Sequence, residues 1–290
     1  GTRAGYFSAK DFYTKSIYST SNERLMFYVD SVYTATPTGP TWEITDSNPN
    51  FSITTLAHEF QHMINRYQRF VVRDINTESW LNELCSEIMP DYIADKIQAN
   101  GSRWVAYNDY TAWSPWNTTW RLPRFNYYDE SSVIDNIVPY SSYHIDYAFW
   151  AYLARNFWGV NFIRSVYNSN YADYRAIESA VQNLGYSETF WTLLQKWWAA
   201  VIVSDSVNPP SWAYQYNKWT YFSSTYNGVE YKYGSINLWN YLRGGTLVWP
   251  YLYTYNSFVS LQGWVLNKAS NLYIKSATTS TWSYSDTVSL

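Results

Sequence analysis

Apolar and polar positions along the 290-residue chain follow two different periods. Leu56, Phe60, Met63, Ile64 and Tyr67 recur at helical spacing and predict an amphipathic helix. His58 and His62 lie on its opposite side, so one face is expected to pack while the other looks into a site. A second helix is predicted from about Glu78, with Leu81, Leu84, Cys85, Ile88 and Tyr92 as its stripe. Pro90 should end or kink it, since proline in a helix interior costs about 3 kcal/mol. A third helix is expected from His144 to Asn156, striped by Ile145, Phe149, Tyr152 and Leu153 and stopped by Gly159. Further helices fit 161–167, 174–184 and 187–203, the last capped by Ser187.

The flanks read differently. Residues 1–50 are mixed, with short strands expected at Leu25-Met26-Phe27-Tyr28-Val29 and Trp42-Glu43-Ile44, and residues 100–140 are loop-like. Beyond Pro209-Pro210 the helical period vanishes. Strands are predicted near 229–233, 246–249, 263–266 and 272–274. This places a boundary near 206–212. The expected organisation is a domain over 1–206, with an upstream lobe to about residue 70 and a helical lobe over 71–206. A β-rich region over 207–290, in the form of a small β-sandwich, follows it. The fold class is therefore α+β.

Composition narrows the function. The net charge is −3 with basic residues scattered, which gives no footprint for nucleic acid. Aromatic residues reach 21% while charged ones are only 15%, against about a quarter in ordinary domains. Such a surface suits polypeptide or glycan contact, and contact with a glycan or a cell surface is expected through the aromatic, β-rich tail. Cys85 is alone, which excludes an intrachain disulfide, and its place on a core stripe points to packing. No apolar run has membrane-spanning length. The ends, Gly1-Thr2-Arg3 and Val288-Ser289-Leu290, suggest a processed part of a longer product. Low charge with abundant Ser, Thr, Asn and Tyr favours export, and a monomer is expected.

The candidate chemistry is concentrated in His58-Glu59-Phe60-Gln61-His62, an H-E-x-x-H segment using two of the three histidines. Histidines four apart on a helix can reach one ion, and the glutamate between them can address a water beside it. A catalytic zinc needs three protein ligands and one open position. The second helix offers Glu83 as the third ligand, on the face opposite its apolar stripe. Glu87 lies one turn on, placed to accept the free N–H of a ligand histidine, with Asn82 adjacent. No tight Asp-x-Asp loop appears, so no calcium site is expected.

H-E-x-x-H followed by Asn82-Glu83-x-x-Ser86-Glu87 resembles the gluzincins, the thermolysin-like metallopeptidases, with 20 residues between the second histidine and the glutamate. Thr55 to Asn65, then Trp80-Leu81-Asn82-Glu83, is similar to the hyicolysin-type bacterial neutral peptidases. The Asn22 to Tyr28 run and the His144 helix are loosely similar to that group. The resemblance implies a secreted bacterial zinc endopeptidase of zincin-like fold. Its upstream β-sheet lobe would carry the H-E-x-x-H helix, its downstream lobe would be mainly helical, and Zn2+ would lie between them.

In that reading Glu59 is the general base toward a metal-activated water, and His144 stabilises the oxyanion, with Tyr143 and Tyr147 as alternatives. Substrate would add as a strand along 24–30 or 41–45. The G-x-M-E-N strand of related aminopeptidases is absent, which favours internal cleavage over a zinc aminopeptidase. An alternative of another class is a non-catalytic protein that binds glycan or a host protein on a peptidase scaffold. The intact Glu59 weighs against it, because an idle scaffold has no use for a general base.

Overall fold

The computed structural model describes residues 5–30, 49–97, 121–122, 125, 143–240, 242–243, 246–247, 252–255 and 273–276. Strands β1 (Gly5–Phe7) and β2 (Phe27–Val29) pair antiparallel, Tyr6 opposite Tyr28. Helix α1 (Pro49–Asn65) runs on into a π-helical turn, Arg66–Val71. After it come α2 (Ser79–Glu87), α3 (Met89–Ile97), α4 (Tyr143–Asn156), α5 (Val160–Asn168), α6 (Arg175–Asn183) and α7 (Phe190–Ile202). The chain then forms a hairpin of β3 (Phe222–Tyr226) and β4 (Val229–Tyr233). Two further pairs follow, antiparallel β5 (Leu242–Arg243) with β6 (Thr246–Leu247), and parallel β7 (Leu252–Tyr255) with β8 (Tyr273–Ser276). Among the described residues no helix is long and apolar enough to cross a membrane. The expected strands at Trp42-Glu43-Ile44 and 263–266 lie outside the described residues.

Helix α2 buries the stripe that its sequence predicts, with Leu81, Leu84, Cys85 and Ile88 all inaccessible. The break at Pro90 is also present: α2 ends at Glu87 and α3 restarts at Met89, leaving the proline in a first turn, where it needs no donor. Helix α7 is capped two residues later than expected. The Thr189 hydroxyl accepts from the Thr192 N–H and the Thr192 hydroxyl accepts from the Thr189 N–H, so Thr189, not Ser187, is the cap.

Two expectations about burial need correction. In α1, Phe60 and Tyr67 on the expected packing stripe are 48% and 46% exposed, whereas Glu59, Gln61 and Asn65 are buried. The helix packs its polar side on α2 and α3, because hydrogen bonds on that side offset the desolvation of polar groups. In α4 every residue from His144 to Asn156 is buried, not a four-residue stripe. This helix is the axis of the core, and it is apolar nearly all round because neighbours cover it on all sides.

The core also runs past the boundary expected near 206–212. Tyr216, Phe222, Tyr233, Ile236 and Leu238 are buried in the same cluster as the helices. Tyr152 Oη donates to the Ala213 carbonyl, and Arg155 donates to the Gly234 carbonyl at 3.0 and 2.7 Å. Gly159 stands where the hairpin meets α5, at φ +50°. A side chain there would collide with Ser224 and the Tyr233 hydroxyl, both of which accept from the Val160 N–H at 3.1 Å. It begins α5 as much as it closes α4.

The π-helical turn that continues α1 is tied to the end of α5 by Arg69, which is 1% exposed. Its guanidinium donates to the carbonyls of Val166, Tyr167 and Ser169 at 2.9–3.1 Å, and to that of Tyr171. These carbonyls close the C-terminal end of α5, where no helical partner remains and the dipole favours a cation. Arg73 reinforces the same end through Tyr167 and Ser169. Replacing Arg69 with Met would strand several buried acceptors at about 1–3 kcal/mol each, so a loss of about 3 kcal/mol or more is expected. Urea unfolding of the variant measures it; a midpoint equal to that of the parent would show that the anchor contributes nothing.

Candidate metal centre

The three expected ligands converge. His58 and His62 sit one turn apart on α1, their Nε2 atoms 3.0 Å from each other. Each Nε2 lies 3.4 Å from Glu83 Oε2, which projects from α2. One donor atom from each of the three residues falls within 4.8 Å of the others. The Glu83 oxygen is buried and has no hydrogen-bond partner, although it faces two imidazole nitrogens. A tetrahedral zinc about 2.0–2.1 Å from each donor would space those donors by roughly 3.3–3.4 Å. Two edges of the observed triangle have that length, and the edge between the histidines, at 3.0 Å, is somewhat shorter.

The groups behind the ligands fix which nitrogen faces the centre. Ser86 Oγ donates to the Asn82 carbonyl and lies 3.1 Å from His62 Nδ1, so it is left to accept the Nδ1 proton. His58 Nδ1 lies 3.3 Å from Glu87 Oε1. Both rings are therefore set to turn an Nε2 lone pair inward, with a carboxylate or hydroxyl holding the other edge. Asn82 accepts from Asn65 Nδ2, and Asn65 Oδ1 accepts from Thr77 Oγ1 at 3.1 Å. Arg69 Nε donates to that same hydroxyl at 2.7 Å. The tie from α1 to α2 thus continues into the anchor on α5.

Glu59, between the histidines, is buried, and β1 passes over its helix at Gly5. A Cβ on Gly5 would approach Thr55 Cγ2 to 2.9 Å and Glu59 Cγ to 3.7 Å, so the missing side chain lets the strand lie close to this carboxylate. The roof candidates separate clearly. The Tyr143 ring stands 6.2 Å from the His58 ring, edge to face. Tyr147 is fully buried and its hydroxyl donates to Asp91 Oδ2 at 2.9 Å. His144 is 2% exposed within the core side of α4. The Tyr143 ring is thus in contact with His58.

Two participants carry no sequence signal. Arg121, from the loop-like stretch, forks onto Glu87, Nη2 to Oε1 at 2.8 Å with Nε to Oε2, and lies 5.3 Å above the Tyr143 ring. Asp146 on α4 is wholly buried with neither carboxyl oxygen hydrogen-bonded. Burial, then the negative Glu87 and Glu83, push its pKa well above its ordinary value. Cys85 is held in the core, where burial pushes its thiol up to about 12.

The electrostatics of the ligands give a pH signature. Burial pulls the His62 imidazole down, but Glu83 beside it, with Glu59, outweighs this and raises it to about 9. The same imidazoles hold Glu83 below the usual carboxylate range against its burial. A proton on His62 stabilises the metal-free fold fully below pH 6.5, and that stabilisation is lost as pH rises through about 9. A metal must displace this proton. Zinc binding at pH 7–8 is therefore expected to release about one proton from His62, with apparent affinity rising toward pH 9. Titration calorimetry in buffers of different ionisation enthalpy counts that proton; a count of zero would contradict the assignment.

A two-histidine, one-glutamate centre with a carboxylate between the histidines is the apparatus of a metallopeptidase. The comparison with known families gives the same class: the model of the peptidase M30 family matches residues 1–223. The chain belongs to that family, the hyicolysin-type group that its H-E-x-x-H region resembles. Among curated proteins, none matches this chain.

Proposed function

We propose that the protein is a zinc-dependent endopeptidase, exported from the bacterial cell, that cleaves within polypeptides. One observation carries the reading: three donor atoms on two helices, spaced about as the edges of a tetrahedral zinc site, with a buried unpartnered carboxylate oxygen as one of them. His58, His62 and Glu83 would hold the ion. Bound there, it would polarise the scissile carbonyl and make a water acidic at neutral pH.

The chain's own groups supply the rest. Glu59 takes the proton of the attacking water and delivers it to the leaving amine. The Tyr143 hydroxyl keeps its proton, because burial and then Glu83 and Glu87 raise its pKa above the phenol value, so it remains a donor toward the oxyanion. Among the described residues β1 and β2 pair only with each other, and an outer edge of that pair, against α1, suits a substrate chain added as a strand. Unfolded casein should be digested, digestion should stop when a chelator removes zinc, and it should return when zinc is restored. Digestion that survives exhaustive chelation would overturn the proposal.

A further inference from the structure

We infer that Arg121 is a positioning residue for the metal centre, acting on His58 through Glu87. The inference rests on the zinc-site reading and extends it to a residue with no motif of its own. Glu87 is fully buried at the end of α2, in an acidic neighbourhood that includes Glu83 and Asp146. A carboxylate in that setting has a choice of rotamers and no solvent to hold it. Its Oε1 must stay within reach of His58 Nδ1, at 3.3 Å, to fix the ring that offers Nε2 to the ion.

The guanidinium settles that choice. Arg121 engages both oxygens of Glu87, one through Nε and one through Nη2, and a two-point fork fixes the plane of a carboxylate as well as its place. Its face lies over the Tyr143 ring, and that ring stands against His58. The contacts close a circuit of His58, Glu87, Arg121 and Tyr143. The residues beside Arg121 give the fork a firm base, since Leu122 and Phe125 are buried in the core, the latter 5.6 Å from Trp197 on α7. Arg121 thus fastens the end of α2 to a part of the chain remote from it in sequence.

Lysine cannot reproduce the fork, although it keeps the charge. Arg121→Lys is therefore expected to weaken zinc binding on the order of 10–100-fold, the range for losing a group behind a ligand histidine. Arg121→Met should do at least as much. Zinc affinity is measured by competition with a chromophoric chelator, in the parent and in a Glu87→Gln background. If Arg121 acts through Glu87, its substitution costs far less affinity in that background. Equal losses in both backgrounds, or parent affinity in Arg121→Lys, would overturn the inference. Should the Met variant not fold, the Lys variant and the double variant Glu87→Gln with Arg121→Met, in which no buried charge is left alone, carry the test. Failure of the parent itself to bind zinc would instead remove the zinc-site reading, so the two outcomes are distinct.

Discussion

Glu59→Gln is expected to abolish turnover while leaving one zinc bound per chain. The substitution keeps the shape and the burial of the side chain but removes its capacity to take a proton. Glu59 is not among the three converging ligands, so the metal should stay. Loss of a positioned general base costs about 10²–10⁴-fold in rate. The fall should therefore appear in kcat, with KM little changed, because the substrate's remote contacts are untouched. Metal analysis of the purified variant, paired with casein assays, reads both halves. Residual activity within tenfold of the parent would assign the proton transfer to another group.

The second large effect is on the metal itself. Glu83→Ala removes the negative ligand and leaves two neutral imidazoles on one helix. Zinc affinity should fall by more than about 100-fold, beyond the 10–100-fold typical of residues that merely support a ligand. The same change removes the foremost cause that raises His62, so its pKa should drop from about 9 toward 6.5. Proton release on metal addition at pH 7–8 should shrink in step. Zinc bound as tightly by Glu83→Ala as by the parent would show that the third ligand lies elsewhere.

Local features of the chain were enough to single out the three side chains that the structure brings together, His58, His62 and Glu83. The i, i+4 spacing of His58 and His62 and the phase of Glu83 are properties of single helices, and they survive into the structure because helices preserve them. The stripe of α2 and the break at Pro90 are legible for the same reason. Burial of whole faces is not local. Phe60 and Tyr67 read as core by periodicity yet face outward, since the polar side of α1 had α2 to pack upon, with hydrogen bonds from Asn65 to Asn82 and between His62 and Ser86. Arg121 could not have been singled out, because an isolated arginine among aromatic and polar residues gives no phase or spacing. The choice between His144 and Tyr143 depends on a rotation about α4, and adjacent residues on a helix point about 100° apart.

Arg69 also bears on the order in which the fold is completed. His58, His62 and Glu83 all lie before residue 84, but the carbonyls that clasp Arg69 belong to residues 166–171. During synthesis the chain emerges N-terminus first, and contacts of long sequence separation are slow to close. A nascent chain thus holds all three of these residues well before it holds the clasp. The clasp that seats the end of the His58–His62 helix can therefore close only after α5 has emerged, so this part of the fold is completed late in synthesis.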